Sequence, residues 1–514
     1  MSARPSRVVV VGGGIGGLSA AVELAHAGFD VTILEREKVT GGKARAIEVG
    51  GSLVEAGPTV LTMRWVFDEL FASTGRALTG YVDLEPLDVI ARHAWADGSR
   101  LDLFADRARS AEAVGELAGA AEARRYLAFC DYVEKIWRAA EGPFVLAQRA
   151  SWTDVIKRIG TAGLGAMLRI DGHRTMWRAL EGAFEDARLR QLFGRYATYC
   201  GASPYEAPAT FNLVAHVESI GVHRVRGGIS QLAAALERRA KELGASVRHG
   251  AEVRRVITRG GAASGVELAD GEILDADAVL VNADVNALAS GLLGAGPGSM
   301  AEAPPTPPSA RSLSAMTVAL VAEARGWPLA HHNVAFSDDY EGEFDAMLRA
   351  RVIPQEPTVY ACAQGPATGT GEEGAQRILL VVNAPATGDE PTRWSEQERA
   401  RCERAAFRTL ERCGLSLSPK ASVLTTPVEL ERSYPATGGA LYGPRPRGAL
   451  SSFSRAGART KVRRLYLAGG SVHPGPGVPM VALSGRLASA CIREDLASTA
   501  RSRAAGIVGT TSTV

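Results

Sequence analysis

Six residues near the N-terminus, Gly12-Gly13-Gly14-Ile15-Gly16-Gly17, restrict this chain more than any other stretch. They match G-x-G-x-x-G, and their setting makes the match informative. The β-branched apolar run 8–11 comes directly before and reads as a buried parallel strand. Residues 18–27 read as a helix, with Gly28 where a C-terminal glycine belongs, and 31–34 as a second strand. This order specifies a right-handed βαβ unit. Gly12 permits the tight turn, Gly14 lets a pyrophosphate approach the backbone, and Gly17 lets helix and strand pack closely. The helix opening at Ile15 and Gly16 then offers free amides and a positive dipole end to phosphates. Glu35 closes the second strand 18 residues after Gly17, where a carboxylate accepts hydrogen bonds from ribose hydroxyls. Arg36 is the candidate partner for a 2′-phosphate, but Glu35 would repel that group, so NADP is disfavoured.

Two further glycine motifs select the dinucleotide. Gly41-Gly42-Lys43-Ala44-Arg45 lies shortly after Glu35, where backbone passes close to a cofactor and Lys43 and Arg45 approach its phosphates. At the other end, 465–470 reads as a strand running into the turn Gly469-Gly470. His473 to Pro479 follows, with Gly477 and Val478 leading into an apolar helix at about 480–494. A second strand, turn and helix aims a second helix N-terminus at the cofactor. Such a dipole end stabilises the negative charge of a reduced flavin, whereas a nicotinamide becomes neutral on reduction. FAD is therefore the expected cofactor.

The rest of the chain bounds the function. At 514 residues, two intertwined domains are expected. The net charge of +2 gives no electrostatic case for nucleic acid. Six scattered cysteines without a CxxC pair fit neither a disulfide framework nor a metal cluster, and His331-His332 has no third ligand nearby in sequence, so no metal is expected. No uninterrupted apolar run is long enough to span a membrane, and the expected location is cytoplasmic. Residues 106–216 read as mainly helical, and the stripe Leu189, Leu192, Phe193 and Tyr196 as core packing. Segments 247–256, 265–268 and 278–281 are strand-like, the last returning to the first domain. The proline-rich 296–308 is a boundary, and 317–322 and 378–382 belong to a second sheet. The loop 365–375 is expected to be flexible, and His473 to be a loop residue held by Pro474.

The expected fold is α/β: a Rossmann-type FAD-binding domain with an inserted α+β substrate domain and a mainly helical segment. The FAD-binding parts are 1–105, 217–295 and 451–495. The helical, membrane-facing segment is 106–216, the substrate sheet 296–450 and a disordered tail 496–514.

Together these residues resemble the carotenoid (phytoene) desaturase family of flavoproteins within the amine-oxidase-like superfamily, from about Arg7 to Asp495. The shared motifs are the Gly12–Gly17 turn, Glu35, Gly41-Gly42-Lys43, Ala56-Gly57-Pro58-Thr59, Val225-Arg226-Gly227-Gly228, His331-His332-Asn333 and Ala468-Gly469-Gly470 through Pro479. A narrower set resembles the 3,4-desaturases of hydroxylated or methoxylated neurosporene-type carotenoids. It comprises Pro58 to Arg64, Gly98 to Phe104, Arg190 to Tyr199 with Ser203-Pro204-Tyr205, and Leu441-Tyr442-Gly443.

The resemblance implies that Gly57, Pro58 and Thr59 bind the cofactor and that the 471–477 segment lies along the flavin ring. It implies that Val253 holds adenine through its backbone and that Arg226-Gly227-Gly228 sits near the flavin. The implied substrate is a long polyene in a deep apolar channel, with Phe193, Tyr196 and Tyr199 as candidate walls and a mouth on the membrane surface. Segment 163–170 reads equally as an interfacial anchor or as a core segment. Hydride passes to FAD and a proton to a base or to water, no side chain stands out as that base, and the sequence does not fix whether an acceptor such as oxygen or a quinone reoxidises the flavin. Competing readings are a phytoene- or lycopene-type desaturase, a carotene isomerase or amine oxidase on the same scaffold, and a non-catalytic prenyl-protein chaperone. The intact glycine turn and Glu35 argue against the chaperone.

Overall fold

Four consecutive valines make Arg7–Val11 a strand buried on both faces, and it forms the centre of the first sheet. In the computed structural model the described residues are 4–148, 170–294, 304–367, 374–448, 451 and 455–508, with side chains through 497. Arg7–Val11 pairs in parallel with Asp30–Glu35 on one side and Ala278–Val281 on the other. Ser246–His249 and Leu465–Leu467 complete a five-stranded, all-parallel sheet. The helix Ile15–His26 is buried along almost its whole length. Sheet and first helix can meet there because Gly17 has no side chain: a Cβ would lie 2.3 Å from the Gly12 carbonyl oxygen. Gly12 itself has φ +98°, a conformation that L side chains rarely adopt.

The last helix, Val478–Val508, crosses the first at Gly485, where a Cβ would lie 2.0 Å from the Gly16 carbonyl oxygen. Sequence ends are thereby brought together at the glycine turn. This helix begins two residues earlier than expected. It also runs on through 496–508, which the composition assigned to a disordered tail; helix-forming alanines and arginines carry it on. Residues 509–514 lie outside the described residues.

A seven-stranded mixed sheet forms the second layer. Its order is Leu415–Thr425, Ser314–Gly326, Gln376–Ala384, Val359–Pro366, His332–Ala335, Val89–Ala94 and Arg100–Phe104. All neighbours are antiparallel except His332–Ala335 against Val89–Ala94. The expected strands at 317–322 and 378–382 pair here, with Thr317 opposite Val381. Val89–Ala94 and Arg100–Phe104, assigned by sequence to the first dinucleotide-binding part, hydrogen-bond into this second sheet instead. They pair with each other as an antiparallel hairpin, and the alternating burial of Arg100–Phe104 suits a half-buried edge strand, which the all-parallel first sheet does not offer. The segment 247–256 divides into Ser246–His249 and Val253–Arg259, the latter in a separate three-stranded antiparallel sheet.

Helices cover the second sheet. Glu396–Arg412 is capped by Ser395, whose hydroxyl accepts from the Glu398 amide, and it buries Cys402, Ala405, Ala406, Thr409 and Leu410 at helical spacing. The helical region includes Arg107–Ala118, Ala120–Ala140, Met176–Ala183 and Ala187–Gly194. Leu189, Leu192, Phe193 and Tyr196 are all buried there, with the Phe193 ring 4.7 Å from Phe129 and 5.2 Å from Phe184. No helix among the described residues is long and apolar enough to cross a membrane. Most of the candidate anchor 163–170, up to 169, lies outside the described residues, as do 368–373 of the loop 365–375.

Candidate active site

The carboxyl ends of the parallel strands form the first part of the site. Glu35, 8% exposed, accepts the Gly13 amide at 2.7 Å with one oxygen and the Glu37 amide at 2.9 Å with the other. It thus holds the glycine turn against the end of the second strand. The Ala251 amide donates to the Glu35 carbonyl and the Gly250 amide to that of Glu37, which brings Val253 to the same edge. Gly14 bridges Gly41, and the Gly41 amide donates to the Gly13 carbonyl at 2.8 Å, so the second glycine motif folds back over the first. A Cβ on Gly42 would lie 3.4 Å from the Gly14 Cα.

Asn282, the first residue after the strand Ala278–Val281, occupies this same edge and was not singled out from the sequence. Its Nδ2 donates to the Gly12 carbonyl at 3.3 Å, and its Oδ1 is buried without a partner among the described residues. Cβ atoms on Gly14 and Gly16 would lie 2.8 and 2.7 Å from the Asn282 amide. Such side-chain-free positions around an unsatisfied amide form a cradle that fits the phosphates of a dinucleotide. Its place after a sheet strand, matching that of Gly12, was the available sequence signal.

The three basic candidates are all engaged by the protein itself, Arg45 with the Ser433 hydroxyl at 3.4 Å and over the Tyr434 ring at 5.9 Å. Arg36 donates to the Ser433 carbonyl and pairs with Glu37 at 3.4 Å, so its guanidinium is engaged by the protein itself. Lys43 Nζ donates to the Leu441 carbonyl at 2.6 Å and lies 5.1 Å from the Tyr434 ring centroid. Burial lowers its pKa, against the charge of Asp284. Gly57 packs on Lys43, where a Cβ would fall 1.9 Å from the Lys43 carbonyl oxygen, and it delivers Pro58 and Thr59.

The C-terminal segment closes on the same region. Gly469 follows Leu465–Leu467, with its Cβ position 3.4 Å from Asn282 Oδ1. Gly470 accepts Arg455 Nη1 at 3.1 Å, and the same nitrogen donates to the Tyr442 carbonyl at 2.9 Å. Gly477 precedes the last helix, whose first residue, Val478, is buried. His473 does form a loop contact, its Nε2 lying 3.0 Å from the Ala147 carbonyl. Leu441-Tyr442-Gly443 is held by the segment 312–313: Ser312 donates to Gly443 and Leu441 to Leu313, while Leu313 also donates to Gly201.

A cavity of about 270 Å³ opens beside Pro58 and Thr59, with Arg224, Gly227, Gly228, His331, Cys362 and Gln364 also in its wall. The close approach that Gly228 permits is to Glu55: a Cβ there would lie 2.1 Å from the Glu55 side chain. Glu55 accepts the Ser230 amide at 3.1 Å and the Ser230 hydroxyl. It caps the helix Ser230–Glu242 from outside, and burial raises its pKa against those hydrogen bonds. Phe193, Tyr196 and Tyr199 are absent from this wall. Tyr196 and Tyr199 instead donate to Glu218, each at 2.6 Å, while Arg195 donates to the Tyr199 hydroxyl at 3.0 Å.

His331 and His332 also have a third donor beside them, unseen in sequence because Cys362 comes from the neighbouring strand. Ligand atoms of the three lie within 4.8 Å of one another. Both Nδ1 atoms are engaged: His331 with the Ala363 carbonyl at 2.7 Å, His332 with the Tyr360 hydroxyl at 2.6 Å. Burial pushes the Cys362 thiol up to about 12, so it is held as a thiol.

The profile of the flavin-containing amine oxidoreductases matches residues 15–493. The chain belongs to that family. It is 48% identical to a hydroxyneurosporene desaturase of Rubrivivax gelatinosus, over 99% of this chain and 97% of that one. A hydroxyneurosporene desaturase of Cereibacter sphaeroides is 42% identical, over 96% and 99%. Among solved structures, a redesigned putrescine oxidase superposes with a TM-score of 0.61 at 16% identity, covering 96% of this chain and 99% of its own. That likeness establishes the amine-oxidase fold. The protein is a flavin-dependent oxidoreductase with FAD as its cofactor.

Proposed function

We propose that the protein desaturates carotenoids, introducing a C–C double bond at the 3,4 position of 1-hydroxy- or 1-methoxyneurosporene-type substrates. The observation that carries this is the 48% identity to a hydroxyneurosporene desaturase across nearly the whole of both chains. FAD supplies a two-electron acceptor that takes a hydride. Gly12, Gly14, Ile15, Gly16, Gly17 and Gly42 would hold its pyrophosphate, Glu35 its ribose and Val253 its adenine. Gly57, Pro58, Thr59, Gly469, Gly470, Gly477 and Val478 would flank the ring. The side-chain-free cradle around Asn282 supports this assignment. Lys43 would act through its grip on Leu441, and Arg36 would fasten the 433 segment without touching phosphate.

A polyene is stored in the bilayer, so the protein is proposed to work at a membrane surface, with oxygen or a quinone reoxidising the flavin. Incubation of the protein and FAD with 1-hydroxyneurosporene in liposomes tests the reading. The expected result is a red-shifted product lacking two hydrogens, together with co-flotation of the protein with the vesicles. Consumption of phytoene or lycopene alone would refute the substrate assignment.

A further inference from the structure

The desaturation proposed above needs a group to take the proton left behind when the substrate gives up a hydride. We propose that Thr59, Tyr360 and His332 form the relay that receives it; this rests on the carotenoid-desaturase reading. Thr59 lines the cavity beside Pro58. Its hydroxyl is 2.6 Å from the Tyr360 hydroxyl, which is 2.6 Å from His332 Nδ1. Both distances are short, as expected for strong O–H···O and O–H···N bonds. The three residues come from different parts of the chain: the loop after Ser52–Glu55 and two adjacent strands of the second sheet.

The chain of bonds has two self-consistent orientations. In the resting one, Thr59 donates to Tyr360 and Tyr360 donates to the bare Nδ1 of His332. Hydride loss leaves a cation delocalised over the polyene, whose neighbouring C–H bond is acidic enough for a weak base. That C–H pair becomes the new π bond. Its proton goes to the Thr59 oxygen as the Thr59 proton passes to Tyr360 and the Tyr360 proton to His332 Nδ1. The outcome is one imidazolium and the reversed orientation.

His332 is suited to receive and then release this proton. It is 2% exposed, and its Nε2 has no partner among the described residues. In the resting orientation the ring is neutral, its bare Nδ1 accepting the Tyr360 hydroxyl. The His331 ring, 4.5 Å away between centroids, lies on the cavity wall. Asn333 keeps this corner in place: its Nδ2 donates to the Ala330 and Ala361 carbonyls, and its Oδ1 accepts the Ala330 amide.

The test uses the full-length holoenzyme with 1-hydroxyneurosporene in liposomes, in H2O and D2O. Tyr360→Phe and Thr59→Val are expected to slow product formation by about 10²-fold or more and to remove the solvent isotope effect, while Thr59→Ser stays within about threefold of the parent. FAD affinity and the visible flavin spectrum should match the parent in Tyr360→Phe, whose side chain lies behind Thr59. In histidine-labelled protein, the His332 nitrogen signal should move in Tyr360→Phe and Thr59→Val but not in Thr59→Ser, a readout that needs no turnover. Parent-like rates and isotope effects in both blocking variants would overturn the relay alone. So would stoichiometric bound metal that is lost in Cys362→Ser, since it would occupy the His331–His332 corner. A parent that converts no carotenoid would sink the desaturase reading, and the relay with it.

Discussion

The glycine cradle and the Thr59–Tyr360–His332 chain are built from different materials. The cradle is backbone from short stretches, and its shape depends on absent side chains: at Gly14, Gly16 and Gly17 a Cβ would come within 2.8 Å of a neighbouring atom. The polar chain is made of side chains up to 301 residues apart, held by strand pairing in a second sheet. Backbone geometry of the first kind is written in a local motif and tolerates no added atom. A side-chain chain of the second kind leaves no local motif, and single members can be exchanged without unfolding the protein. The Arg195–Tyr199–Glu218–Tyr196 group follows the second pattern at higher stakes, because its ions are buried: Arg195 is 6% and Glu218 3% exposed.

The largest effect is expected where a buried charge loses its partner. Glu218→Gln leaves the Arg195 guanidinium without a counter-ion and should destabilise the protein by about 3–5 kcal/mol in urea unfolding. A loss below about 1 kcal/mol would show that this group is better hydrated than its burial indicates. Next comes the cradle: Gly17→Ala should cost about 1–3 kcal/mol from overpacking against Gly12, and the purified protein should retain little flavin absorbance. Full flavin retention in Gly17→Ala would break the contrast.

A third probe concerns titration in the side-chain-built region. Glu343 is buried and accepts from the Thr358 amide at 3.0 Å and the Thr358 hydroxyl at 2.7 Å. Burial raises its pKa to about 7. The folded state therefore holds this proton longer than the unfolded chain does. The resulting stability is complete below the ordinary carboxylate pKa and is lost as pH rises through 7. Glu343→Gln should be more stable than the parent by about 1–3 kcal/mol above neutrality and show a flatter pH profile across that window. The smallest effect belongs to Arg36→Ala, with FAD affinity expected within about threefold of the parent and stability within about 0.5 kcal/mol. A large loss of FAD affinity would place Arg36 in the cradle after all.

Periodicity and glycine placement were enough to read the first βαβ unit, the Glu35 carboxylate and the buried stripe from Leu189 to Tyr196, because each depends on neighbours within a few residues. Asn282 escaped because a single asparagine after a strand has no distinctive spacing. Arg455, Tyr360 and Glu218 escaped because their partners are brought by other strands and helices. Cys362 escaped for the same reason: only the antiparallel register that sets it opposite His332 puts a thiol beside the two histidines. The assignment of 89–104 to the first layer missed for a related reason, since a strand's pattern gives its exposed and buried faces but not which sheet it joins.

What the sequence by itself determined was therefore the backbone chemistry: where the chain turns, where it offers amides, and that a dinucleotide suits the result. Tertiary structure alone decided which side chains face one another across the second sheet. Turn geometry is set by local sterics of one or two residues, whereas a side-chain hydrogen bond requires two distant strands to be in register.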